Sequence, residues 1–131
     1  MVLPGIQALF GFQTVAVFNQ RFIELSPTQR NCHLLALSLV VMAVALLMAP
    51  AAYHRIVEPH QVSERTVGLT SGLICASLMP LAVALALDLF VVMSLATHDP
   101  AVSVGSAFVC LLVLTGFWFL LPLLARWRQD T

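Results

Sequence analysis

The chain contains no lysine and little charge of any kind: 9% of its 131 residues are charged, against about 25% in an ordinary soluble domain. Six arginines and six acids cannot clothe the water-facing surface of so small a chain. A soluble single domain is thereby excluded. The formal net charge is zero, so no long-range field gathers nucleic acid or an acidic substrate, and no nucleic-acid partner is expected. Cys32, Cys75 and Cys110 are an odd, scattered set without a CxxC pair or metal-ligand spacing. Cys75 and Cys110 lie in apolar runs, where a thiol acts as a small hydrophobe, so a disulfide scaffold is excluded too. The first residues lack the basic stretch and the small-residue cleavage site of a signal peptide. The first apolar run is therefore expected to stay in place as a membrane helix.

What the chain has instead is apolar length. Hydrophobic residues make up 60%, against roughly 45–50% in soluble domains. No charge interrupts Met1 to Gln20, Asn31 to His54, Thr66 to Leu87, or Pro100 to Ala125. Each run meets the need for about 20 apolar residues to cross a hydrocarbon core of about 30 Å. The runs are rich in Leu, Ala and Val and lack strict alternation, so helices satisfy their backbone groups better than barrel strands do. The expected fold is all-α: one polytopic membrane domain over residues 1–131. Its four transmembrane helices, at about 3–20, 27–53, 64–97 and 100–126, form an antiparallel bundle. The boundaries carry capping chemistry. Ser26-Pro27-Thr28-Gln29 reads as a capping box with proline at the first helical position. Ser63-Glu64 and Asp99-Pro100 open the third and fourth helices. The 3–4 connection is then a tight hairpin. With both termini inside, Arg55, Arg65, Arg126 and Arg128 lie on the cytoplasmic side against Arg21 and Arg30 outside, the sense favoured by the positive-inside rule.

Asp88 is the one acid inside a long apolar run. An ionised carboxylate in hydrocarbon costs several kcal/mol, and such residues are often proton or cation sites. By helical rise it lies roughly 11 Å from the middle of the third helix, towards the outer face. Its expected partners are Gln13, the hydroxyls of Ser103 or Ser106 across the hairpin, or an inward-reaching Arg21 or Arg30. The serines are favoured by proximity. Gln7 and Thr14 share a face of the first helix, and with Gln13 and Asp88 they form the candidate proton or ion site; interhelical bonding alone is the plainer reading. Gly68, Gly72, Ala76, Pro80 and Ala84 lead to Asp88 at every fourth position. Small side chains so spaced allow close helix approach, within the bundle or between copies.

Tyr53, His54, Arg55 and Glu58 form an expected interfacial cluster. His54/Glu58 and His60/Glu64 have metal-pair spacing, but Pro59 breaks the helix between them, and no metal is expected. His33 and His98 lie at or beyond the interface, while His33 and His54 are about 31 Å apart by rise. Haem, and cofactors generally, are therefore not expected.

Three stretches carry a resemblance: Leu3-Pro4-Gly5-Ile6-Gln7-Ala8-Leu9-Phe10-Gly11-Phe12-Gln13, Met48-Ala49-Pro50-Ala51-Ala52-Tyr53-His54-Arg55-Ile56, and Leu87-Asp88-Leu89-Phe90-Val91-Val92. The chain resembles, over nearly its whole length, a bacterial membrane family known as a domain of unknown function. Some members of that family carry a sodium:proton antiporter label. The resemblance implies a four-helix protein of the bacterial inner membrane, and it implies no catalytic residue. Members often have a polar segment before the first helix, so a trimmed chain is also implied. Without a Ser/His/Asp set, a phosphate loop or a membrane acid pair, the expectation is a non-enzymatic protein. It acts as an accessory subunit or homo-oligomer in the lipid bilayer; the alternative is an oligomeric proton- or cation-coupled transporter or channel using Asp88.

Overall fold

The computed structural model describes residues 3–57 and 63–127. The chain forms α1 (Leu3–Val17), a one-turn α2 (Arg21–Glu24), α3 (Pro27–Val57), α4 (Glu64–Thr97), α5 (Pro100–Thr115), a π turn (Gly116–Leu120) and α6 (Leu121–Trp127). The last three run on as one helix, Pro100–Trp127. Among the described residues there is no strand. α3, α4 and the Pro100–Trp127 helix are each long and apolar enough to cross a membrane. Glu58, His60 and Arg128 lie outside the described residues, as does the side chain of Arg21.

The caps explain the starts. Ser26 N–H donates to Gln29 Oε1 at 2.9 Å, and Gln29 N–H donates to Ser26 Oγ at 3.3 Å, the reciprocal capping box. Ser63 Oγ accepts from Thr66 N–H at 3.3 Å, and Asp99 Oδ1 accepts from Ala101 N–H at 2.8 Å, with Pro100 behind it. α4 ends on His98 in the left-handed region at φ 52°. Such a conformation lets the chain reverse within His98 and Asp99 and enter α5.

Three boundaries differ from expectation. The first helix stops at Val17, not near residue 20. Phe18 N–H bonds Val15 C=O and Asn19 N–H bonds Ala16 C=O, the three-residue spacing that tightens and ends a helix. At 15 residues α1 rises about 22 Å, short of the hydrocarbon core. The second helix continues to Val57 rather than 53, so Tyr53, His54 and Arg55 belong to its last turns. In the fourth helix a π turn separates α5 from α6. Pro122 has no N–H for the Trp118 carbonyl, and its ring crowds that oxygen. The turn widens, and Leu121 N–H reaches Gly116 C=O instead.

Packing is layered in chain order: α1 along α3, α3 along α4, α4 along α5, with α3 and α4 sharing the largest contact. The seam is built from small residues. His33, Ala36, Val40 and Ala43 are buried on one face of α3, and Leu81 and Ala84 meet them from α4, with Ile6 joining from α1. Close backbone approach through alanine supplies dispersion contact where lipid offers no hydrophobic driving force. The small-residue stripe of α4 takes part only in its second half. Pro80 and Ala84 are buried, whereas Gly68, Gly72 and Ala76 are exposed. A Cβ built on either glycine meets nothing within 4 Å. The reason is phase: each four-residue step overshoots a turn by about 40°, so the stripe rotates by roughly 200° between Gly68 and Asp88.

Candidate functional site

Three helices each deliver one polar side chain to a single point. Gln13 shares the inner face of α1 with Ile6, a spacing of seven. His33 stands on the seam face of α3, three residues before Ala36. Asp88 follows Ala84 by four on α4. Gln13 Nε2 donates to Asp88 Oδ2. His33 Nδ1 lies 3.3 Å from Asp88 Oδ1, and His33 Nε2 lies 3.1 Å from the Gln13 carbonyl oxygen. The ring therefore bridges α4 and α1. The His33–Asp88 approach has ion-pair distance without hydrogen-bond alignment, since Asp88 Oδ1 has no hydrogen-bond partner. Gln13 and His33 are buried, and the Asp88 side chain retains 19% exposure.

That residual exposure leads into a cleft of about 400 Å³ between α1, the segment carrying α2, and the last third of α4. Phe12, Ala16, Phe22, Val91 and Leu95 line it with these three polar residues and with a fourth, Asn19. The segment after α1 forms a cover. Phe22 meets His33 edge-on, with centroids 5.8 Å apart and planes at 64°. The Arg30 guanidinium sits 5.7 Å over the Phe22 ring and Nη2 donates to the Ile23 carbonyl at 3.0 Å. Gln29 Nε2 donates to Ser94 Oγ at 2.7 Å, tying the start of α3 to the end of α4. α4 has the expected bounds, so Asp88 keeps its depth of roughly 11 Å beyond the helix middle.

The serine donors are not where expectation put them. Ser103 Oγ donates to the Asp99 carbonyl at 2.7 Å, and Ser106 Oγ to the Ser103 carbonyl at 2.9 Å. A serine in a helix finds the carbonyl three or four residues back sooner than a group on another helix. Arg30 is likewise committed to Phe22 and Ile23. Of the first-helix candidates only Gln13 reaches Asp88. Thr14 Oγ1 donates to the Phe10 carbonyl at 2.8 Å, and Gln7 is exposed. Of Tyr53, His54 and Arg55, His54 lines a separate groove of about 470 Å³ together with Pro50, Thr66, Thr70 and Ser71. Arg55 is exposed, and Tyr53 and His54 are half-buried.

His33 is the site residue that sequence reasoning weighed only as a haem ligand. Its signal was available: 33, 36, 40 and 43 fall at the three-and-four spacing of one helix face, and that face proves to be the seam. Among the described residues, no three metal-ligating groups come together.

No curated protein and no solved structure matches this chain. A family model does match, over residues 1–122, which include all three helices that build the site and the whole of the π turn. The chain belongs to that family, described as a family of unknown function (DUF6328).

Proposed function

We propose that this is a non-enzymatic multi-pass protein of the bacterial inner membrane that exchanges a proton at Asp88, working as a homo-oligomer. One observation carries the reading. A carboxylate and an imidazole lie 3.3 Å apart inside a helical layer and open to one side through the cleft. Such a pair has two low-energy forms, carboxylate with imidazolium and carboxylic acid with imidazole, which differ in where the proton sits. Gln13 serves both, because its amide offers a donor to the anion and an acceptor to the acid. Below the site the seam of Ala36, Val40, Ala43 and Ala84 has no exposed surface. A one-sided site over a dry seam suits a carrier that alternates its access and does not suit an open channel. α1 completes an antiparallel four-helix bundle with α3, α4 and the Pro100–Trp127 helix. The arginine distribution favours the cytoplasm for both termini and the outer side for the cleft, a reading that requires the bilayer to thin locally around the 15-residue α1.

The dry seam also favours a second reading, an accessory subunit of a larger membrane complex that senses protons without passing them. Purified chain in liposomes, with a pH dye inside, separates the two. Proton flux above empty vesicles, lost in Asp88→Asn, supports the carrier. Flux equal to empty vesicles, together with a carboxylic-acid infrared band that titrates in wild type and vanishes in Asp88→Asn, supports the subunit. Absence of that band at every pH rejects proton exchange. Native mass spectrometry giving a lone monomer at all concentrations rejects the homo-oligomer.

A further inference from the structure

The cleft above Asp88 combines largely apolar walls with a carboxylate floor, just beneath which lie two buried acceptor oxygens without hydrogen bonds. Phe12, Ala16, Val91 and Leu95 are hydrocarbon, and a volume of about 400 Å³ falls within the range of small-molecule sites. On the floor, Gln13 is 4% exposed, and its Oε1 is buried without a hydrogen-bond partner. Asp88 Oδ1 is in the same condition, with His33 Nδ1 close but out of line. Buried oxygens without a hydrogen bond are costly. The complementary guest brings several N–H donors and a positive charge on an apolar body. A metal cation meets the floor and wastes the walls; a neutral alcohol fills the walls, with one donor and no charge for the floor. We propose that the cleft binds a small primary amine on an arylalkyl body, its ammonium group on the exposed side of the Asp88 carboxylate, with the Gln13 amide turning to present its buried Oε1, and its hydrocarbon between Phe12, Ala16 and Leu95. This rests on the proton-exchange reading and names what takes the place of the proton.

Calorimetric titration of the full chain in detergent with 2-phenylethylamine, 2-phenylethanol and sodium chloride tests it. The amine is expected to bind at least about tenfold more tightly than the alcohol, the loss of one charge-assisted contact, and sodium is expected to give no comparable heat. Asp88→Asn and Ala16→Phe each weaken the amine about tenfold or more. Ala16→Phe narrows the wall and keeps Gln13, His33 and Asp88, so it decides the matter even if Asp88→Asn fails to fold. Alcohol binding as tightly as amine, or amine binding indifferent to Ala16→Phe, overturns the proposal. So does displacement of the amine by phosphatidylethanolamine in mixed micelles, which would assign the site to a lipid headgroup. The titrating carboxyl band of wild type keeps the two readings apart: amine binding can fail while the band persists, and then only the ligand assignment falls.

Discussion

The α3–α4 pair holds a histidine near each end, and the two ends are built differently. At one end His33 is buried, contacts a carboxylate and the backbone of α1, and lies under Phe22. At the other, His54 is half-buried, its Nδ1 has no hydrogen-bond partner, and it shares an open groove with Thr66 and Thr70 while Gly68 and Gly72 face outward beside it. The same two helices are in contact throughout. The difference comes from the third element. α1 crosses the first end and not the second, and it brings Gln13 and the segment that covers the ring. A polar residue in a membrane layer becomes a positioned site when a third backbone closes over it; with two helices alone it stays at a rim.

The largest effect should come from breaking the closed end. Asp88→Leu leaves the Gln13 amide without its acceptor and the His33 ring without its ion-pair partner and should cost about 2 kcal/mol, whereas Asp88→Asn retains a hydrogen-bonding group and should cost less than half of that. Thermal unfolding in one detergent measures both, with the expected order wild type, Asp88→Asn, Asp88→Leu. Equal stability of Asp88→Leu and wild type would erase the distinction between the ends. A middle effect is expected from Phe22→Ala, which removes the aromatic pair with His33 and the ring beneath Arg30, together worth about 1 kcal/mol. Hydrogen exchange should quicken over Arg21–Glu24 and stay unchanged over α5. The smallest effect belongs to the open end. Gly68→Ala and Gly72→Ala each remove a helix-weakening glycine where a Cβ has room and should stabilise by up to about 1 kcal/mol. Destabilisation instead, with loss of oligomer on native mass spectrometry, would show that the open half of the stripe is covered by a second copy.

Much of this was legible from residues one at a time. Ser26 with Gln29, Ser63, and Asp99 with Pro100 act within a single turn, so the helix starts could be read locally. Asp88 and Gln13 stood out because isolated polar groups in apolar runs need partners, and they prove to be partners. His33 was obscured by its position only six residues into α3, where a histidine reads equally well as interfacial. Its role depends on the return of the chain after Val17, a matter of loop geometry. The serines misled because proximity along a hairpin says nothing of the competing carbonyl within the helix. The stripe misled because a period of four only approximates a face that repeats every 3.6 residues.

The π turn at Gly116–Leu120 has a bearing on how any residue-by-residue survey of the last helix would look. A single extra residue in a helix rotates everything beyond it by on the order of 100°. The lipid-facing and protein-facing sides of Pro100–Thr115 therefore do not continue along Leu121–Trp127. Tolerance of polar replacements should follow one rhythm as far as Thr115 and resume out of step after Leu121, with Pro122 marking where the beat is lost. Removal of one residue from the turn would bring the two halves back into step, and would thereby turn the leucines of α6 towards different neighbours from those they have now.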